Sequence, residues 1–130
     1  MSEVVLDASA LLALLLEEVG GTELADRAAG AAISSVNLAE VVGRLADRGV
    51  PPDVCRDELG GLDLAVVPFE EDAAYTAGTL RPITRKAGLS LGDRACLALA
   101  MQLDRPALTA DRVWSSLRVG VEVEILPRAR

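Results

Sequence analysis

Short runs of consecutive apolar residues alternate along the chain with segments whose apolar positions recur every three or four residues, a pattern of strands separated by helices. Val4-Val5-Leu6 is a short buried strand that ends at Asp7. Leu11 to Glu18 is helical and apolar on nearly every side, which predicts a fully buried helix. Gly20-Gly21 breaks it, and Thr22 opens a second helix to Ala29. Ala31 to Ser34 is weakly strand-like. Val36 to Arg48 sets Leu38, Val41, Val42 and Leu45 at helical spacing; Gly49 stops it, and Pro51-Pro52 starts a short helix to about Leu59. Leu64 to Phe69 is the clearest strand of the middle region. Glu70 to Lys86 reads as a longer helix with a dipole-favoured acidic first turn, kinked or broken near Arg81 by Pro82. Ser90 to Leu103 is a strong helix, Ala107 to Thr109 a strand, Arg112 to Leu117 a helical turn or two, and Val121 to Leu126 the final strand. The alternation predicts an α/β fold: one domain over residues 1–130, its central, mostly parallel sheet of about four to five short strands flanked by helices.

Composition narrows the chemistry. The chain is 51% apolar and 25% charged, a globular balance, and it contains no histidine. That removes a histidine base, a Ser-His-Asp triad, a Cys-His dyad and every His-containing zinc site. Two cysteines, Cys55 and Cys96, are too few for a four-cysteine metal site or a disulfide framework, and they suit a reducing cytoplasm. The longest apolar run, Ala10 to Leu16, falls far below the roughly 20 residues that span a bilayer, so no membrane association is expected. Twenty acidic residues against thirteen basic ones give a net charge of −7. A nucleic acid would therefore have to be held locally, by arginines or bound metal.

Any chemistry then falls to carboxylates, and four stand out. Asp7 follows the first strand and could simply cap the next helix. Glu40 lies three residues after Asn37, a capping-box spacing, and four before Arg44, an ion-pair spacing. Asp93 lies three residues after Ser90, again a capping box, but Gly92 beside it lowers helix propensity, as though something must approach the backbone closely. Asp111 could cap the short helix that follows it. Position changes the weight of these local explanations. Asp7 and Asp111 sit just past strands, Glu40 and Asp93 in first turns of helices, and in an open α/β sheet all such places lie at the carboxyl edge where ligands bind. Carboxylates gathered there repel one another, and Mg²⁺ or Mn²⁺, which favour oxygen ligands, would relieve that repulsion.

In this order and context the four segments resemble the PIN-domain ribonucleases, most closely the VapC-type toxins of toxin–antitoxin pairs. Asp7-Ala-Ser-Ala-Leu resembles the family's opening motif, with Ser9 as the hydroxyl near the metal. Ser34 to Glu40 is similar to its second acidic segment, with Asn37 in support, and Leu89-Ser90-Leu91-Gly92-Asp93 to its third. Leu108 to Trp114 resembles the fourth, with Thr109 and Asp111 as its polar residues. The resemblance implies a cytoplasmic, metal-dependent endoribonuclease acting on RNA, a homodimer, and a cognate antitoxin that blocks the site. Asp7, Glu40, Asp93 and Asp111 would be its catalytic and metal-binding residues.

Arg94 and Arg112, each beside a candidate acid, are candidates for gripping substrate phosphate or for salt bridges to that neighbour. Trp114 suits the core, and an aromatic content of 2% gives little support to base stacking. A metal-dependent adhesion site would want a second hydroxyl where Leu11 stands, and a phosphoacceptor receiver would want paired acids near Asp7 and a late lysine. The alternative that keeps the fold is a catalytically weak or inactive PIN-like domain acting as an RNA- or protein-binding module.

Overall fold

Strand β1 (Val5–Leu6) lies at the centre of a five-stranded sheet in a computed structural model that describes residues 3–16 and 26–127. It is followed by α1 (Ala8–Leu15), β2 (Ala32–Ser34), α2 (Ser35–Asp47), α3 (Pro52–Gly60) and β3 (Ala65–Val67). Then come α4 (Glu71–Thr79), α5 (Arg81–Thr84), α6 (Leu91–Leu103), β4 (Ala107–Thr109), a 3-10 helix (Arg112–Ser116) and β5 (Val123–Ile125). Every pairing is parallel, in the order β3-β2-β1-β4-β5. The chain steps outward from β1 to β3, then crosses back to place β4 on the other side of β1. Strand order reverses between β1 and β4, and a crevice opens there beyond the carboxyl ends.

Register sorts side chains by size. Val5 sits between Ala32 and Ala107, and this row packs with Cys96, Leu97, Ala100 and Trp114 on the α6 side. Leu6 sits between Ile33 and Leu108, and this larger row packs with Leu11, Val41 and Leu45 of α1 and α2. Each large side chain so buried contributes about 1.5–3 kcal/mol by the area removed from water. Trp114 is wholly buried, and Cys55 and Cys96 are buried thiols.

Several boundaries move for physical reasons. Helix α1 begins at Ala8 because Asp7 caps it, and it is not fully buried: only Ala10, Leu11 and Ala13 are, while Leu12, Leu14 and Leu15 are half-buried. Pro82 separates α4 from α5, as the sequence requires. The strand expected over Leu64–Phe69 shrinks to an edge strand with Val66 46% exposed, whereas the weaker Ala31–Ser34 segment lies wholly inside the sheet. Of the helix expected over Thr22–Ala29, residues 26–28 are helical and 22–25 lie outside the described residues. No helix among the described residues is long and apolar enough to cross a membrane.

Candidate active site

Asp7 and Thr109 leave adjacent strands at the reversal point. Asp7 caps α1, its Oδ1 accepting from the Ala10 amide at 2.8 Å. The Ser9 hydroxyl lies 2.8 and 2.9 Å from the two Asp7 oxygens, and the Thr109 hydroxyl donates to Oδ2. In turn Ser9 Oγ accepts from the Ala110 amide at 2.9 Å and Thr109 Oγ1 from the Asp111 amide at 3.0 Å. The two hydroxyls thus tie both strand exits to one carboxylate. Asp7 is 3% exposed, and among the described residues the one ion pair is remote, Arg27 to Glu124. Burial pushes its pKa up to about 6, against the hydrogen bonds of Thr109, Ala10 and Ser9, and the nearby Asp93 charge raises it further.

Glu40 is placed by contact with α6, 52 residues further along the chain. Asn37, buried on α2, donates from Nδ2 to Glu40 Oε1 at 2.8 Å and to the Gly92 carbonyl at 2.9 Å. A Cβ on Gly92 would stand 2.4 Å from Glu40 Oε1 and 2.6 Å from Oε2, so only glycine admits the carboxylate. Neither local explanation of Glu40 holds: Ser34 caps α2, and Glu40 makes no ion pair with Arg44. Asp93 does form the capping box with Ser90 at the start of α6, and Asp111 caps the 3-10 helix.

The four acids line one pocket of ≈ 640 Å³. Cys96, beneath it, reports the same convergence: burial pushes the thiol well above its ordinary pKa, and the charges of Asp7, Asp93 and Glu40 push the same way. A roomier groove of ≈ 760 Å³ between α4 and α6 contains none of the four. Arg94 and Arg112 do not line the pocket. Arg94 donates instead to the Ala77 carbonyl of α4 at 2.9 Å, and Arg112 lies exposed on the 3-10 helix. From α2 the pocket is also lined by Gly43 and Asp47, which were not singled out, and by Arg44, weighed only as an ion-pair partner of Glu40. Their signal was the helical spacing from Glu40.

The acids are held around the mouth rather than drawn to a point: among the described residues no three Asp, Glu or Cys side chains form a ready metal cluster. The donor set nevertheless fits a hard divalent cation. Asp7 is a buried carboxyl without a cationic partner, and Glu40 Oε2, Asp93 Oδ1 and Asp111 Oδ2 accept no hydrogen bond among the described residues. Asn37 Oδ1, buried in the Glu40 clamp, also lacks a donor.

A parallel sheet in this order, with four carboxylates lining one pocket at its reversal point, defines an α/β domain of the open, parallel-sheet class. Residues 4–119 match the PIN domain family, and the chain belongs to it. Its fold is shared by a toxin–antitoxin complex from Klebsiella pneumoniae at 18% identity, covering 92% of this chain and 98% of that one, with a TM-score of 0.69. A DNA-bound VapBC from Salmonella typhimurium matches at 19% identity, with coverage of 95% and 98% and a TM-score of 0.70. A member of the VapBC family of toxin–antitoxin systems from Mycobacterium tuberculosis matches at 24% identity, with coverage of 95% and 96% and a TM-score of 0.58. No curated protein matches the sequence.

Proposed function

We propose that this chain is a VapC-type toxin, an endoribonuclease that depends on Mg²⁺ or Mn²⁺ held by Asp7, Glu40, Asp93 and Asp111. PIN domains are generally nucleases, and the observation that carries the reading is the lining of one pocket by four acids from four separate segments. A bound divalent cation would supply charge for the phosphodiester oxygens and an acidified water near neutral pH. The chain's own residues do the rest. Ser9 and Thr109 hold Asp7 ionised and oriented, Asn37 holds Glu40 against Gly92, and the capping contacts fix Asp93 and Asp111. The shared fold with toxin–antitoxin complexes supports a cognate antitoxin as partner, with homodimeric assembly and a cytoplasmic setting as further parts of the proposal.

The test is cleavage of labelled RNA with Mg²⁺ or Mn²⁺. Cleavage is expected to stop with chelator and with Asp7→Asn or Asp93→Asn while circular dichroism stays that of the folded protein. Cleavage surviving both substitutions excludes the assignment. A folded protein that binds RNA or a partner but never cuts would instead make it an inactive binding module. Mapping new RNA 5′ ends after induction without a neutralising partner identifies the target.

A further inference from the structure

The α2 wall of the pocket carries an inference that rests on reading the cleft as an RNA phosphodiesterase site. Glu40, Gly43, Arg44 and Asp47 recur at spacings of three and four, and all four line the pocket together with Leu12 and Leu16. Gly43 sits inside a thirteen-residue helix, where glycine is the poorest residue short of proline. Nothing among the described residues asks for it there: its φ is not positive, and a Cβ would meet none of their atoms within 4 Å. Among the described residues Arg44 is the only cation lining the pocket. The helix dipole accounts for a basic residue in the last turn of α2 on any face, but not for its placement on the face with the acids. Among the described residues it makes no ion pair, and the Glu40 carboxylate accepts from Asn37 instead.

We propose that Gly43 and Arg44 form a flanking-nucleotide subsite. Arg44 grips the RNA phosphate next to the scissile one, and the open space over Gly43 takes the attached sugar and base against Leu12 and Leu16. A chain of net charge −7 cannot hold RNA by its overall field, so a local cation at the cleft has a definite task.

The test uses Gly43→Gln and Arg44→Gln in the full chain. One probe is a fluorescein-labelled, random-sequence 12-nucleotide RNA, followed by anisotropy with Ca²⁺ and by cleavage with Mn²⁺. The other is bis(p-nitrophenyl) phosphate, which has a phosphodiester but no flanking nucleotide. Each variant is expected to bind RNA at least tenfold more weakly and to lose at least tenfold more kcat/KM on RNA than on the small diester, chiefly through KM. Arg44→Gln should also flatten the slope of log affinity against log salt by about 0.7, the value for one phosphate contact on a single strand. Gly43→Gln should melt at or above the wild-type temperature, which separates its effect from misfolding. Unchanged RNA binding in both variants, or equal losses on the two substrates, overturns the subsite. Failure of the wild type to cleave either substrate overturns the phosphodiesterase reading alone, because the anisotropy ratios still decide the subsite.

Discussion

Substituting Gly92 by alanine separates the site from the fold. The new methyl carbon would stand 2.4 Å from Glu40 Oε1, where ordinary contact begins at 3.4 Å, so the carboxylate must retreat by 3.4 − 2.4 = 1.0 Å. Glu40 is exposed and the clashing atoms end a flexible side chain, so the backbone can stay in place. Stability should barely change. The displaced carboxylate gives up its hydrogen bond from Asn37, a loss of about 1 kcal/mol, while alanine in place of glycine in the first turn of α6 returns up to about 1 kcal/mol. Activity should not survive so well, because a misplacement of about 1 Å in a catalytic constellation costs on the order of 10²-fold in rate. Urea unfolding and cleavage of a labelled RNA with Mn²⁺ measure the two quantities on one preparation, with Glu40→Gln as the reference for a lost carboxylate. A variant that cuts within threefold of wild type refutes the role given to this contact. One destabilised by more than about 3 kcal/mol shows that the glycine serves packing instead.

Mn²⁺ at millimolar concentration is expected to raise the melting temperature of the wild type and not of Asp7→Asn; equal shifts would place binding elsewhere. Asp7 carries a sign that can be checked in chelator: its folded pKa of about 6 lies above the ordinary 3.8, so the stability from holding that proton is full below pH 3.8 and is lost as pH rises through 6. The unfolding free energy of Asp7→Asn minus that of wild type should therefore grow by up to about 3 kcal/mol from pH 4 to pH 7, and a flat difference sinks the argument. Thr109→Val keeps shape but leaves Asp7 Oδ2 and the Asp111 amide without the hydroxyl, and denaturant unfolding should register a loss of about 1–3 kcal/mol. Arg94→Gln should leave the KM for RNA at the wild-type value, since its guanidinium serves the Ala77 carbonyl; a large rise in KM would return Arg94 to the substrate.

Where a residue's surroundings are local, the sequence reveals them. The strand–helix alternation sets the sheet, Pro82 sets the break between α4 and α5, and the propensity cost of Gly92 announces a close approach before any coordinates. What is hidden depends on distant chain. The leucines from Leu11 to Leu16 look like core on every side, yet Leu12 and the C-cap Leu16 line the pocket, because one flank of α1 forms the cleft wall. Arg44 looks like the ion-pair partner of Glu40 because the spacing allows it; the Asn37–Glu40 spacing is legible, but no local rule foresees that Asn37 also donates to the Gly92 carbonyl and that this glycine leaves room for the carboxylate. Strand burial inverts for the same reason: hydrophobic Leu64–Phe69 falls at a sheet edge, while the blander Ala32–Ser34 lies between two neighbours.

Two of the four acids, Asp7 and Asp111, cap helices and Asp93 completes the capping box of Ser90, as their sequence spacing suggests, and this is compatible with cation binding rather than a rival to it. A helix that follows a parallel strand starts at the carboxyl edge of the sheet, so caps and ligands are drawn to the same rim. The amide donors and the positive end of the helix dipole also stabilise carboxylates that would otherwise repel one another. Glu40, which caps nothing, receives the same support from Asn37. The acids are therefore held separately around the mouth, each by its own backbone or amide partner, so the domain is expected to fold without a cation. On this argument a cation would bind to a scaffold already in place, drawing on the unpartnered oxygens of Glu40, Asp93 and Asp111. Chelation should then abolish cleavage while leaving helix content unchanged, whereas unfolding on chelation would mean that the caps alone do not hold the rim.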